Sequence, residues 1–217
     1  ITWDTKAAVL EKIMKYERVH EIKDMDELKT RLGEDRRFFS YFHPALEDEP
    51  IIFVQVALTN GLGKSIQEIT KPRSDGDKKY DTATFYSISN CQEGLSRVTL
   101  GNFLIKRVVF EIQEELPNIK HFGTLSPIPG FRDWFSYLED VKIKNILGEI
   151  PLENISFLKS TDLKVGDPRI VSNKEAITKL VAHYLMNEKN HKQLPINDVC
   201  RFHLGNGAII DDIVINA

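Results

Sequence analysis

The sequence has few of the features that define several large classes of protein. Its 217 residues include only two cysteines, Cys91 and Cys200, which form no Cys-x-x-Cys pair. Neither a disulfide framework nor a zinc site is therefore indicated, and a reducing intracellular compartment is the simpler interpretation. No apolar run approaches the roughly eighteen residues that a membrane span needs. The net charge of −3 gives no indication of a nucleic-acid-binding surface.

What is present is the composition of an ordinary globular protein, with 41% apolar and 28% charged residues. The length is enough to bury a substantial core. The chain begins at Ile1 without a methionine and ends at Ala217 after an apolar run. We expect it to be a piece of a longer protein, so the lack of a targeting segment carries no information.

The most informative part of the sequence predicts a strand, a helix and a second strand in succession. Residues 83–89 are β-prone, and a loop with Gly94 and Gly101 leads into apolar residues spaced by three and four positions, as on one face of a helix. These residues are Leu104, Ile105, Val108, Val109, Ile112 and Leu116. Pro117 ends the helix, and residues 120–125 read as the second strand.

One edge of this predicted unit is suited to an anion. Because the crossover in such a unit is almost always right-handed, Thr99–Asn102 are expected near Ser126 at one edge of the sheet. The free amides at the helix start favour a group such as a pyrophosphate, and the two glycines permit tight turns. The loop matches neither a Walker pattern nor the three-glycine dinucleotide fingerprint, so a purely structural turn stays an open alternative.

The flanking segments predict further helices and strands. Helices are expected at residues 5–20, capped by Asp4 or Thr5, and at residues 25–32, capped by Asp24. The other expected elements are strands at 38–42 and 51–58 around a polar turn at 43–50, helices at 132–138 and 173–187, and a β-hairpin with strands at 199–204 and 208–214 around Gly205-Asn206-Gly207. The strand at 51–58 is expected to be buried on both faces because it is almost continuously apolar. Residues 141–167 show no clear period.

Several short motifs follow one another from about Arg37 to the end of the chain. The most specific are Leu125-Ser126-Pro127-Ile128-Pro129-Gly130-Phe131 and Phe202-His203-Leu204-x-Asn206-Gly207-Ala208. The supporting ones are His43-Pro44-Ala45-Leu46, Glu49-Pro50, Val56-Ala57-Leu58, Phe85-Tyr86-Ser87-Ile88-Ser89, Gln92-x-Gly94-Leu95 and Leu100-Gly101-x-Phe103-Leu104-Ile105-Lys106. Together these motifs resemble those of the malonyl-CoA decarboxylase family.

This resemblance implies an α/β (α+β) fold of the GNAT-like, acyl-CoA-binding kind, with a mixed central sheet flanked by helices. It implies that residues 34–217 are a C-terminally truncated catalytic domain, and that residues 1–33 are the remnant or linker of an N-terminal helical domain. The implied reaction of fatty acid metabolism converts malonyl-CoA to acetyl-CoA and CO2 without a cofactor, since CoA belongs to the substrate. A homo-oligomer, specifically a tetramer, is implied through the missing helical domain. The implied compartment is the bacterial cytoplasm or the eukaryotic mitochondrial matrix, peroxisome or cytosol.

The resemblance also assigns roles to individual residues. Decarboxylation leaves an enolate at the thioester, which the catalyst must stabilise and protonate. His203 is implied as the proton donor to the enolate carbon, and Ser126 as its hydrogen-bonding partner and proton acceptor. The implied malonyl-CoA-binding residues are Ser87, Ser96, Arg97, Val98, Thr99, Leu100, Gly101, Asn102, Ser126 and His203. Without the resemblance, Ser126 reads equally as a turn cap and His203 as a buried structural histidine.

Two departures and two rival functions remain open. Animal-type members of the family carry a glutamate where this chain has Thr99, and members continue past Ala217 with residues, including a tyrosine, that complete the pocket. An acyltransferase of the same fold would move an acyl group to an amine, and a non-catalytic module would bind malonyl-CoA without turnover. The other histidines have no metal-ligand spacing, so no metal is assigned.

Overall fold

A four-stranded mixed sheet in the order β1-β2-β3-β4 is the framework of the first part of the chain. The strands are β1 (Arg36–His43), β2 (Leu46–Thr59), β3 (Thr82–Asn90) and β4 (His121–Thr124). The first three pair antiparallel in succession, and β4 pairs parallel with β3. The computed structural model describes residues 1–71, 79–95, 98–160, 163 and 166–216. The chain divides into two compact units, Ile1–Ser126 and Pro127–Ala217.

Helices cover both faces of the sheet in the first unit. They are α1 (Ala7–Tyr16), α2 (Met25–Arg31), α3 (Ile66–Thr70) and α4 (Leu100–Glu115). On one face, α4 buries Leu104, Val108 and Ile112 against β2 and β3. On the opposite face, α1 buries an apolar group that includes Ile13 against Phe53 of β2. Because successive side chains of a strand point to opposite faces, β2 is buried on both sides, as predicted.

The helix predicted at residues 25–32 is confirmed together with its cap. The Asp24 Oδ1 atom accepts a hydrogen bond of 2.8 Å from the Glu27 amide, and Glu27 Oε2 accepts one of 3.2 Å from the Lys23 amide. Helix α1 is also confirmed, but it ends at Tyr16 and not near His20, and neither Asp4 nor Thr5 caps it. The residue that precedes its first turn is Lys6, so that part of the prediction is wrong.

The polar turn predicted at residues 43–50 is too long. Strand β2 begins at Leu46, so the connection from β1 is tight. The strand register shifts twice near Phe42, and Asp48 takes a left-handed φ of 55°. These bulges, together with exposed polar side chains, remove the alternation that would have identified a strand here.

The second unit is helical in the part of the chain that the structure describes. Its helices are α5 (Phe131–Ser136), α6 (Asp140–Leu147), α7 (Pro168–Ser172), α8 (Lys174–Met186) and α9 (Asp198–Gly205), with a 3₁₀ helix at Leu152–Lys159. Helix α8 is central and buries six side chains: Ala176, Ile177, Leu180, Val181, Tyr184 and Leu185. The predicted helices α5 and α8 are confirmed. Helices α6 and α7 were not predicted because they are short and their apolar residues do not repeat over several turns.

The β-hairpin predicted at residues 199–214 is wrong, since residues 198–205 form α9 and the described residues 208–214 form no strand. The Asn197 side chain caps the helix by accepting a hydrogen bond of 2.7 Å from the Cys200 amide. Gly207 has a φ of 85°. A left-handed glycine serves a hairpin turn and a helix C-terminus equally well, which explains the error.

Candidate active site

The parallel pairing between β3 and β4 ends partway along β3. Its ladder joins Thr82–Phe85 to His121–Thr124, and one further hydrogen bond of 2.8 Å runs from the Leu125 amide to the Phe85 carbonyl. Strand β3 then continues to Asn90. At this point β3 also has an irregularity, because Ser87 pairs with Gln55 while Phe85 pairs with Val56, which leaves Tyr86 as the extra residue of a bulge. Ser126 therefore leaves the sheet beside the middle of β3.

The start of α4 lies at the same carboxyl edge, because α4 is the crossover between β3 and β4. Thr99 precedes the helix and is exposed, and its side chain makes no capping hydrogen bond within the described residues. The first turn of α4 holds no acidic residue. Its backbone amides and the positive end of the helix dipole are thus suited to an anion.

The other predicted loop residues differ in their surroundings. Val98 is 47% exposed, Leu100 is half-buried and Gly101 is buried in the first turn. Asn102 is half-buried, and within the described residues its Oδ1 atom has no hydrogen-bond partner. The predictions for Ser96 and Arg97 fall outside the described residues. Gly101 and Gly94 do not take a left-handed φ, so neither is required there by backbone conformation.

The first residues of this loop are held by a polar cluster that was not predicted from the sequence. Gln92 Nε2 donates hydrogen bonds of 3.1 Å to both Glu49 Oε1 and the Pro50 carbonyl. Glu49 also receives a hydrogen bond of 2.6 Å from the Tyr16 hydroxyl and pairs with Lys12 at 2.6 Å. The bonds from Lys12 and Tyr16 lower the pKa of Glu49 to about 2. Both Glu49 and Gln92 belong to motifs that carry the family resemblance, and these motifs were the signal in the sequence that could have identified the cluster.

Ser87 has its hydroxyl inside a buried polar layer. Its Oγ donates a hydrogen bond of 2.6 Å to Glu17 Oε2, and Gln55 Nε2 donates to the same oxygen. Glu17 Oε1 accepts from the amides of Val19 at 2.7 Å and His20 at 2.9 Å. Both the Ser87 and Glu17 side chains are buried. A substrate contact by Ser87 stays a prediction, and the hydroxyl already donates to a carboxylate.

The turn that follows Ser126 is fixed by two side chains of the second unit. Ser126 itself is half-buried at the end of the first unit. The Pro129 carbonyl accepts hydrogen bonds from the Tyr184 hydroxyl at 3.0 Å and from Asn197 Nδ2 at 2.8 Å. Gly130 has a φ of 75°, and a Cβ atom there would lie 2.8 Å from the Tyr184 hydroxyl oxygen. Glycine is therefore required at this position for two reasons: the backbone is left-handed, and there is too little space for a Cβ atom.

His203 lies in the last turns of α9, and the rest of its motif closes that helix. The Ala208 amide donates to the His203 carbonyl at 3.1 Å, and the Gly207 amide to the Leu204 carbonyl at 3.0 Å. This is the pattern of a Schellman motif with glycine in the left-handed position. The imidazole is half-buried, and this burial lowers the pKa of His203 below its usual value.

The predicted residues thus separate into two groups. Thr99–Asn102 and Ser126 belong to the first unit and follow the carboxyl edge of its sheet, whereas His203 belongs to the second unit. The pairing of Ser126 with His203 stays a prediction. Among the described residues, no three His, Cys, Asp or Glu side chains are grouped so as to hold a metal ion. No helix in that part of the chain is both long and apolar enough to cross a membrane.

The fold is that of the GNAT-like class. A crystal structure described as the loading GNATL domain of CurA from Lyngbya majuscula superposes with a TM-score of 0.55 over 94% of this chain and 82% of that chain, at 13% identity. At this identity the likeness concerns the fold alone, and it agrees with the predicted mixed sheet flanked by helices. Residues 1–216 match the family described as malonyl-CoA decarboxylase C-terminal domain, and the chain belongs to this family.

Individual relatives agree with the family match. The chain is 38% identical over 96% of its length to the mitochondrial malonyl-CoA decarboxylase of Anser anser anser, and 37% identical over 97% to that of Rattus norvegicus. It covers 45% and 47% of those two proteins, so it spans about half their length. The crystal structure of malonyl-CoA decarboxylase from Agrobacterium vitis gives a TM-score of 0.83 at 42% identity, over 95% of this chain and 52% of that chain.

Proposed function

We propose that the protein to which this chain belongs converts malonyl-CoA to acetyl-CoA and CO2, with Ser126 and His203 as its catalytic residues. The observation that carries the proposal is the match to the decarboxylase family over residues 1–216. The two catalytic side chains lie in the two most specific motifs of the sequence. In both motifs a glycine with a left-handed φ, of 75° at Gly130 and 85° at Gly207, follows the catalytic residue by four positions.

The CoA portion of the substrate is proposed to bind at the carboxyl edge of the sheet. The pyrophosphate would accept hydrogen bonds from the first-turn amides of α4, whose dipole favours negative charge. The extended pantetheine chain carries two amides and would lie along β3 beyond Phe85, where the ladder to β4 has ended. This places the reactive thioester toward Ser126. Asn102, whose Oδ1 atom is buried without a partner in the described chain, would accept a donor of the substrate.

The reaction needs one proton from solvent, because the carboxylate leaves as CO2 and the enolate carbon becomes a methyl group. Since burial lowers the pKa of His203, the resting imidazole is neutral at pH 7. The negative charges of the bound carboxylate and of the developing enolate would raise that pKa, so that His203 takes up a proton and delivers it to the α-carbon. Ser126 would hydrogen-bond to the imidazole and to the thioester region, and would stabilise the charge that develops there.

The test is acetyl-CoA release from malonyl-CoA by the full-length protein and by its Ser126→Ala and His203→Asn variants. We expect turnover to fall by at least about a hundredfold in each variant, because proton transfer and oxyanion stabilisation are each worth that much. Binding of CoA, measured by calorimetry, should change little. A double variant should be no slower than the worse single variant, since residues that act as one unit are not additive.

Two other outcomes would replace this proposal. If the full-length protein binds malonyl-CoA but releases no acetyl-CoA, the chain is part of a non-catalytic binding module. If it transfers an acetyl group to an amine and both variants retain that activity, it is an acyltransferase. The homotetramer and the cellular compartment stay predictions, and sedimentation and imaging of the full-length protein would test them.

A further inference from the structure

Asn197 is the side chain that joins the turn after Ser126 to the helix that carries His203. We propose that it is a positioning residue for decarboxylation, acting through these two segments without contacting the substrate. The inference rests on the proposed function, since it assumes that Ser126 and His203 carry the reaction. It adds a residue that lies in neither of the two specific motifs.

The geometry of Asn197 uses both ends of its amide. Nδ2 donates a hydrogen bond of 2.8 Å to the Pro129 carbonyl, and Oδ1 accepts one of 2.7 Å from the Cys200 amide in the first turn of α9. The residue is only 2% exposed. An aliphatic side chain would leave the Pro129 carbonyl with one donor fewer and would remove the cap of α9. Because one buried group makes both bonds, the turn and the helix cannot shift independently.

The turn is held from a second direction by Tyr184. Its hydroxyl donates to the same Pro129 carbonyl at 3.0 Å, and its ring packs on Phe131, with the ring centres 5.9 Å apart. Asn197 and Tyr184 thus hold one carbonyl that lies three residues after Ser126 in the sequence. Tyr184 belongs to the central helix of the second unit, which gives the turn a rigid support.

The helix held at the other end of Asn197 is short. It has eight residues, and His203 is the sixth of them. Its C-terminus is closed by the Schellman contacts of Gly207 and Ala208. Its N-terminus is held by the cap at Asn197 together with the Arg201 side chain, which donates a hydrogen bond of 2.6 Å to the Pro195 carbonyl. A shift of about 1 Å in a catalytic group can reduce the rate by about a hundredfold. Small movements of this helix would therefore affect turnover more than substrate binding.

The central test uses a variant that keeps the cap of α9 but removes the hydrogen bond to the Pro129 carbonyl. In Asn197→Asp, a carboxylate oxygen still accepts from the Cys200 amide, but the donor to Pro129 is replaced by an acceptor. We expect kcat to fall by about 10- to 100-fold, while KM for malonyl-CoA changes by less than about threefold. Tyr184→Phe removes the other donor and keeps the ring, and we expect a smaller loss of kcat. Together the two changes should be non-additive, because both act on one carbonyl.

The matched control is Ile177→Val, a change in the core of the same unit that touches neither Pro129 nor α9 by a hydrogen bond. It should lower the unfolding temperature without changing kcat. If Asn197→Asp keeps kcat within twofold of the wild type, or if Ile177→Val loses as much kcat as Asn197→Asp does, the positioning role is overturned.

Amide hydrogen exchange distinguishes failure of this inference from failure of the proposed function. The Trp134 amide, bonded to the Gly130 carbonyl at 2.9 Å, reports on the turn, and the Arg201 amide, bonded to the Asn197 carbonyl at 2.9 Å, reports on the helix. In Asn197→Asp we expect faster exchange at Trp134 with little change at Arg201, whatever the protein catalyses. Unchanged exchange at Trp134 would show that Asn197 does not hold the turn, even if the decarboxylase reaction were established.

Discussion

Helices α4 and α9 each carry proposed site residues, but they begin in opposite ways. Helix α4 has 16 residues, and the Thr99 side chain before it is exposed and makes no capping hydrogen bond within the described residues. Helix α9 has eight residues and begins at Asn197, which is buried and whose side chain makes two hydrogen bonds. A long helix that packs well against a sheet can leave its first amides open to a ligand. A short helix has little packing of its own and needs caps to hold a catalytic side chain in place.

The largest effect is expected at the turn that Asn197 holds. Gly130→Ala should cost about 3 kcal/mol of unfolding free energy, because it combines left-handed strain with a Cβ contact to the Tyr184 hydroxyl. The matched control is Gly61→Ala, where φ is 72° but the added Cβ meets open space. It should cost only about 1 kcal/mol. Urea unfolding measures both, and equal losses would mean that the Tyr184 contact contributes nothing.

A second change loosens the other end of α9. Gly207→Ala places a side chain at a φ of 85° and should cost about 1 kcal/mol through strain in the Schellman motif. Gly94→Ala is the comparison, since Gly94 is not left-handed and has open space around it. Its effect should stay within about 0.5 kcal/mol. The same denaturation experiment checks both, and a costly Gly94→Ala would show that the first loop is as constrained as the end of α9.

A third change gives α4 the kind of start that α9 has. Thr99→Asp should stabilise the free protein by about 0.5 kcal/mol, because the carboxylate caps the helix and complements its dipole. It should weaken CoA binding about fivefold, since the new charge opposes the pyrophosphate. Thr99→Asn caps without charge and should raise stability with a smaller loss of affinity. Thermal unfolding and calorimetry with CoA provide the two readouts. Tighter CoA binding by Thr99→Asp would argue against a phosphate at this helix end.

The smallest expected effect concerns the pH dependence of stability. Burial lowers the pKa of His203 in the folded protein, whereas His203 in the unfolded chain keeps its ordinary pKa of about 6.5. Just below pH 6.5 the unfolded chain therefore binds more protons than the folded protein does. This contribution to stability is therefore present above pH 6.5 and is lost as the pH falls through the lower folded value. His203→Gln should flatten the pH dependence of stability just below pH 6.5, as measured by denaturation at each pH. Burial also lowers the pKa of His20, which leaves a residual slope of the same sign. An unchanged slope would contradict the assignment.

Local sequence patterns were sufficient to predict most of the first unit. The apolar spacing from Leu104 to Leu116 extends over about three and a half turns, and the strand before it is apolar and β-prone. The same reasoning failed at α9. Val199 and Phe202 favour strands, and eight residues are too few for a helical period to show. The Gly205-Asn206-Gly207 pattern favoured a hairpin turn, whereas in the structure Gly207 takes the left-handed position at the end of α9.

Ser126 and His203 were assigned to the candidate site only through motifs, whereas Thr99–Asn102 followed from the strand-helix-strand pattern. No local pattern assigns Glu17, Gln55 or Asn197 to the site. Their roles depend on distant partners: Gln55 lies 38 residues from Glu17, Ser87 lies 70 residues from it, and Pro129 lies 68 residues from Asn197. Such pairings follow from the three-dimensional fold and not from any local pattern.

The buried layer around Glu17 has a consequence for how this chain can be divided. Residues 1–33 were predicted to be a remnant or linker, yet the Glu17 carboxylate accepts hydrogen bonds from the Gln55 and Ser87 side chains inside the sheet. A fragment that began at residue 34 would expose or orphan these groups, at about 1–3 kcal/mol for each one left without a partner. We therefore expect a boundary at residue 33 to cut through a folding unit.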